Sequence, residues 1–325
     1  MQTIRVTCKP RGQPPNTALI AASSRRARIS VQDHAFRSAF WNTQDGLRLH
    51  YRRYDPARGG VPGRPPVICL HGLTRNGRDF HRLALWLAES GWEVIVPDMR
   101  GRGQSERATD PSSYAVEQYV RDVDRLRTRL GIDRYVAIGT SMGGLMTLVT
   151  AATEPDVLAA AALNDIGPEV EPEGLRHILG YIGRQESFLS WSDAAEALRQ
   201  VHGQAHPAFS EQDWLDMARR TMVEDDNERI VFDYDPAIAA PLQSNGRKEA
   251  AVPPDLWPAF TRLSARPLLL IRGAHSTLLS ARTFARMQGA APAAATVEVA
   301  DAGHAPTLDE PEVRAALATM LARVD

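Results

Sequence analysis

Short apolar runs recur along the chain, and each stops at a turn bearing glycine, aspartate or histidine. Residues 66–70 end at His71-Gly72, 92–96 at Pro97-Asp98, 135–138 at Gly139 and 159–163 at Asn164-Asp165. Residues 267–271 end at Arg272-Gly273, and 296–299 stop just before Gly303-His304. Unbroken apolar runs of this length suit strands buried on both faces of a parallel sheet. Residues 47–51 alternate instead, as a half-buried strand does. Between the runs, Val116, Tyr119, Val120, Val123, Leu126 and Leu130 fall on one face of a helix. Strands alternating with helices predict an α/β protein with a mostly parallel, doubly wound sheet.

One interval breaks the rhythm. Roughly a hundred residues separate Asp165 from the strand opening at Pro267. They read as helices over 175–184, 191–201 and 212–223, with Ser190 or Ser192 and Ser210 as N-caps, followed by the polar Tyr234-Asp235-Pro236. The pattern predicts a helical cap, residues 167–261, inserted into a core formed by 36–166 and 262–325. Its aromatics Tyr181, Phe188, Trp191, Trp214, Tyr234 and Trp257 read as cap core rather than pocket lining. Residues 1–35 stand apart. They are rich in Arg and Ser, hold no acidic residue before Asp33, and resemble a transit peptide in composition. The plainer expectation is a disordered extension.

Composition narrows the class. Hydrophobic residues are 43% and charged residues 24% of the 325, which excludes collagen-like, coiled-coil and globally disordered chains. The longest apolar run, 157–163, falls far short of the roughly 20 residues of a membrane-spanning helix. With 38 basic and 39 acidic residues, nothing favours nucleic acid or an anionic membrane as partner. Cys8 and Cys69 are the only cysteines, so neither a disulfide framework nor a zinc site is expected, and a reducing cytoplasm fits. The sequence is silent on oligomeric state.

The chemistry concentrates in the turns. Gly139-Thr140-Ser141-Met142-Gly143 follows a strand and opens a helix, the context a G-x-S-x-G nucleophile turn needs. Glycines flank the serine because a sharp, strained turn leaves no room for side chains. The helix N-terminus aims amide N–H groups at developing negative charge. The amides of Leu73 and Met142 are the expected oxyanion donors. The His71 side chain reads as a brace for its loop, as do Asp98 and Arg100 in the Gly-rich stretch 98–105. His304, after the last strand, is the expected general base. His34, His50, His81, His177, His202 and His206 read as surface or cap residues.

Together His71-Gly72, the stretch from Asp98 to Ser105, the turn around Ser141, and Gly303-His304 resemble the α/β-hydrolase superfamily, in its capped branch of esterases and meta-cleavage-type hydrolases. The resemblance implies an α/β-hydrolase fold and a Ser–His–acid triad. In that branch the acid usually sits in a Gly-x-x-Ser-Asp-like segment, here Gly273-Ala274-His275-Ser276-Thr277, so Thr277 stands in the acid's place. Other members carry the acid one strand earlier, where this chain has Asp165. Asp165 is therefore either the triad acid or a loop brace, and in the second case the triad is incomplete.

The resulting expectation is a cofactor- and metal-free serine hydrolase of a small carboxylic ester or lactone. Hydrolysis of a carbon–carbon bond in a vinylogous diketone uses the same groups. A non-catalytic ligand-binding hydrolase fold and a cofactor-free peroxidase are the other readings. Dehalogenase and epoxide hydrolase chemistry is disfavoured, because both need a carboxylate at the position of Ser141.

Overall fold

The computed structural model describes residues 35–57, 59–245 and 255–324. The extension expected over residues 1–35 lies outside them except for Ala35, and so does Cys8.

Eight strands form the central sheet: β1 (Arg37–Asn42), β2 (Arg48–Tyr54), β3 (Val67–Leu70), β4 (Val94–Pro97), β5 (Tyr135–Thr140), β6 (Leu158–Asn164) and, after the inserted segment, two more. The inserted segment holds three short strands, β7 (Ser187–Phe188), β8 (Met222–Glu224) and β9 (Ile230–Phe232), so the last two sheet strands are β10 (Leu268–Gly273) and β11 (Ala295–Val299). The order is β1-β2-β4-β3-β5-β6-β10-β11. β1 and β2 pair antiparallel with each other, as do β2 and β4, and every other neighbour pair is parallel. β3, β4, β6 and β10 are buried at every residue, which is why their sequences are apolar without alternation.

Helices cover both faces. α1 (His81–Glu89) and α10 (Pro311–Leu321) pack on one side, with Val67, Cys69, Val136, Ile138, Leu269 and Ile271. α2 (Val116–Arg129) and α3 (Met142–Thr153) pack on the other, with Ile68, Leu70, Ala137 and Leu163. Successive residues of one strand thus feed two separate cores, as the two-residue period of a strand dictates. β4 lies on one side of β3 and β5 on the other, so the chain reverses its direction of growth there. The loops leaving β3 and β5 diverge and open a crevice at the sheet's C-terminal edge.

The inserted segment contains α4 (Pro172–Tyr181), α5 (Trp191–His202), α6 (Glu211–Thr221) and α7 (Ala240–Asn245). Ser190 caps α5 through Asp193 N–H, and Ser210 forms a reciprocal capping box with Asp213 on α6. The segment is not all helix: β7, β9 and β8 make an antiparallel sheet in that order. The hairpin signal was present, since apolar pairs flank a polar turn in which Asp225 Oδ1 accepts from the Asn227 and Arg229 amides. Ala194, Leu198, Trp214, Met217, Ala218, Met222 and Ile230 form a small core of its own. α8 (Trp257–Leu263) straddles the 261/262 boundary expected from sequence. It packs on α3 and β6, with Phe260 and Leu263 in the main core, so the inserted segment gives way to the main core before Trp257. α9 (Ala281–Ala290) precedes β11.

Candidate active site

The turn after β5 holds Ser141 at φ 53° and ψ −114°, a left-handed conformation costing about 1–3 kcal/mol for a residue with a side chain. The flanking glycines are forced by contact. A Cβ on Gly143 would fall on the carbonyl oxygen of Leu70 in β3, and one on Gly139 would fall on that of Gly143. This close approach wedges α3 against the sheet and lifts Ser141 from its edge.

Ser141 Oγ lies 2.9 Å from His304 Nε2, and His304 Nδ1 lies 2.7 Å from Asp165 Oδ2. Asp165 is fully buried, at φ 54°, in the turn that follows β6. Its other oxygen accepts from Gly273 N–H at 2.9 Å, and Oδ2 also accepts the Ser276 hydroxyl at 2.5 Å. Ser276 Oγ in turn accepts from the Leu278 and Leu279 amides. Thr277 is exposed. The segment after β10 therefore reaches the carboxylate through a serine rather than supplying a carboxylate. Asn164 Nδ2 donates to Thr140 Oγ1 and to Pro306 O, tying the end of β6 to the His304 loop.

The β3 loop closes on the serine. A Cβ on Gly72 would lie 3.8 Å from Ser141 Cβ. Neither the Leu73 nor the Met142 amide donates to a protein acceptor among the described residues. His71 is fully buried; its Nδ1–H donates to Gly72 O, and Nε2 accepts from Met99 N–H. Burial holds it neutral, its pKa pulled down to about 4. Arg102, which sequence reasoning passed over, is also buried. It donates to Leu73 O, Arg100 O and Tyr119 OH, and its Nη2 lies 3.8 Å from Met142 Sδ. One guanidinium thus touches both residues whose amides were expected to face an oxyanion.

Asp98 and Arg100 do brace loops, each with its own partners. Arg100 pairs with Asp122 and Asp45. Asp98 accepts from Gly77 N–H and Gln104 N–H and pairs with His50. Burial opposes ionisation of Asp98, but His50 and Arg52 outweigh it and hold the carboxyl at about 2. His50 is therefore not a surface residue: it is fully buried under this loop. Its strand alternates only weakly, because β2 is covered on both faces.

A cavity of about 500 Å³ lies between the sheet edge and the inserted segment. Ser141, His304, Gly72 and Leu73 line it, together with Tyr181, His202, His206 and Arg220. Tyr181 packs against the main core and also lines the cavity. The inserted segment is fastened around it. Arg78 pairs with Asp233 and donates to Arg220 O, Asn76 Nδ2 donates to Arg220 O, and Gly303 N–H donates to Ala205 O. Among the described residues no three His, Cys, Asp or Glu side chains gather as a metal site. No helix among them is long and apolar enough to cross a membrane.

The family model for the alpha/beta hydrolase fold matches residues 65–311. The chain belongs to the α/β-hydrolase family. This α/β hydrolase is 35% identical to the 3-hydroxybutyrate-oligomer hydrolase of Cupriavidus necator, over 78% of this chain and 87% of that protein. It is 25% identical to the 2-(acetamidomethylene)succinate hydrolase of Mesorhizobium japonicum, over 77% and 84% respectively. The crystal structure of an alpha/beta hydrolase from Novosphingobium aromaticivorans superposes with a TM-score of 0.83 at 48% identity. It covers 89% of this chain and 99% of its own.

Proposed function

We propose that this α/β hydrolase cleaves small carboxylic esters through an acyl-enzyme on Ser141. The observation that carries the reading is the unbroken line of hydrogen bonds from Ser141 Oγ through His304 to Asp165 Oδ2, at 2.9 and 2.7 Å. In the first half-reaction Ser141 Oγ attacks the ester carbonyl while His304 Nε2 takes its proton. Asp165 fixes the ring with Nδ1 protonated and stabilises the imidazolium. The carbonyl oxygen becomes an oxyanion and accepts from the Leu73 and Met142 amides. Collapse expels the alcohol, which takes the proton from His304. Water then repeats the sequence on the acyl-enzyme, with His304 as base, and releases the acid. The relative from Cupriavidus necator, named for hydrolysis of an oligoester, supports an ester substrate.

The test is Ser141→Ala on 4-nitrophenyl butanoate, alongside labelling by a fluorophosphonate probe. The expected result is loss of roughly 10⁶ in kcat, the scale of removing a triad serine, and loss of all labelling. A variant that keeps near-normal turnover overturns the mechanism.

A further inference from the structure

Two guanidinium groups, Arg75 and Arg220, line the cavity, and hydrolysis of a neutral ester does not call for either. Arg75 follows the β3 loop directly. A Cβ on Gly72 would lie 3.3 Å from Arg75 Cγ on one side and 3.8 Å from Ser141 Cβ on the other. The Arg75 stem is thus one residue's width from the serine. Arg75 binds Asp79 through two parallel hydrogen bonds, from Nε at 2.5 Å and Nη2 at 2.8 Å. Arg220, in the last turn of α6, has only the remnant of that carboxylate: its Nε lies 3.7 Å from Asp79 Oδ1, beyond a hydrogen bond. No guanidinium N–H of Arg220 donates to protein among the described residues, although the side chain is only 25% exposed and lines the cavity. Two guanidinium groups share one carboxylate, and it is Arg220 whose N–H donors are left without a protein acceptor among the described residues.

The other acidic residues on the wall make no hydrogen bond to Arg220. Asp309 is taken by Arg82 and Arg314, Asp213 by the Ser210 cap, and Glu310 Oε1 by Thr307. Asp301 and Glu312 are exposed. The neighbouring histidines register the field. Burial and then Arg75 pull His202 down to about 3 and His206 to about 4, so both stay neutral. Burial also pulls Arg220 below the usual guanidinium range, with Asp79, Asp309 and Asp216 opposing and Arg75 adding to the effect. A desolvated, under-paired guanidinium is costly to keep, and a planar anion that accepts from it removes the cost.

We infer that Arg220 and Arg75 bind a carboxylate borne by the substrate itself, so that this enzyme prefers short esters carrying a free carboxyl group, as oligoesters of hydroxy acids do. The inference rests on the ester-hydrolase reading and adds the charge of the substrate. Arg220 is the principal contact, because Arg75 is already saturated on two of its donors. The anion would bridge the cap and the core at their junction, since Arg220 stands on α6 and Arg75 on the β3 loop.

Two substrate pairs test it. On the acyl side, 4-nitrophenyl hydrogen succinate is compared with its neutral methyl ester. On the alcohol side, 3-(butanoyloxy)butanoate is compared with its amide. The charged-to-neutral ratio of kcat/KM is expected to exceed about ten in at least one pair. Arg220→Gln should lower that ratio about tenfold, mainly through KM, and Arg220→Lys should restore part of it. Binding is read separately: butanoate, but not butanamide, should raise the Tm of the Ser141→Ala protein, and Arg220→Gln should abolish the shift. A ratio at or below one in both pairs overturns the proposal, and so does an equal Tm shift by acid and amide. In either case continued turnover of the neutral esters and Ser141 labelling leave the serine mechanism standing. A carboxylate-dependent Tm shift without turnover or labelling overturns that mechanism and keeps the carboxylate site. If Arg220→Gln does not fold, the wild-type ratios and the Lys variant decide.

Discussion

Ser276 donates its hydroxyl to Asp165 Oδ2 at 2.5 Å, the same oxygen that faces His304 Nδ1 at 2.7 Å. The carboxylate is therefore held from two sides, by the Gly273 amide on Oδ1 and by Ser276 on Oδ2. Hydrogen bonds to a charged group contribute about 1.5–3 kcal/mol. Ser276→Ala should lower kcat roughly ten- to a hundredfold while moving KM little, because the serine touches the acid and not the cavity. Steady-state kinetics on one activated ester checks this; an unchanged kcat would show that Gly273 alone suffices to hold Asp165.

Asp165→Asn should cost roughly 10⁴ in kcat, the scale of losing a carboxylate that fixes the histidine tautomer. Thr277→Asp should add nothing, since Thr277 is exposed and Ser276 already occupies the approach to the buried carboxylate. The measurement is kcat for both single variants and the double variant. Recovery in the double variant would mean that a carboxylate at 277 reaches His304 after all.

Arg102→Lys should lower kcat by about ten- to a hundredfold. A lysine ammonium cannot satisfy Leu73 O, Arg100 O and Tyr119 OH together. The loop carrying the Leu73 amide then loses its brace, and loss of one oxyanion donor alone costs about 10²–10³. Kinetics with Tm recorded in parallel separates a loosened site from a destabilised fold.

Stability should fall as the medium is acidified from about pH 6.5 to about 4. His71 is wholly buried and stays neutral in the folded protein down to about 4, against its ordinary 6.5. Between those values the unfolded chain takes up a proton that the folded one refuses. The stabilising contribution is therefore full above 6.5 and lost on the way down to 4. For His71 alone it is of order 3 kcal/mol, and His206 acts in the same direction over the same window. Urea unfolding at pH 7 and pH 4.5 reads the difference. His71→Asn should be less stable at pH 7 and should show a shallower dependence; an equally steep one would place the acid sensitivity elsewhere.

Much of the fold was legible because buried parallel strands must be apolar throughout. The strands β3, β4, β5, β6, β10 and β11, the α2 face and the caps Ser190 and Ser210 all coincide with sequence expectations. β1 was missed because it lies at the sheet edge with half its residues solvated. Strands of two or three residues carry no period, so in the β7-β9-β8 sheet only the polar turn between β8 and β9 left a mark on the sequence.

At the site, sequence determined the serine turn, since contact with Leu70 O leaves only glycine at 143, and it determined which loops end at the sheet's C-terminal edge. Local chemistry also singled out His304 and Asp165 as candidates. Tertiary structure alone decided what stands beside what. Asp165 and His304 are 139 residues apart and meet because β6, β10 and β11 are neighbours in the sheet. Ser276 faces Asp165 for the same reason. Arg220 shares Asp79 with Arg75 only because α6 folds back over the β3 loop. A one-dimensional pattern records which faces are buried, because burial follows the local period of the chain. It does not record which charges come to share a partner, because that depends on which distant elements the packing brings together.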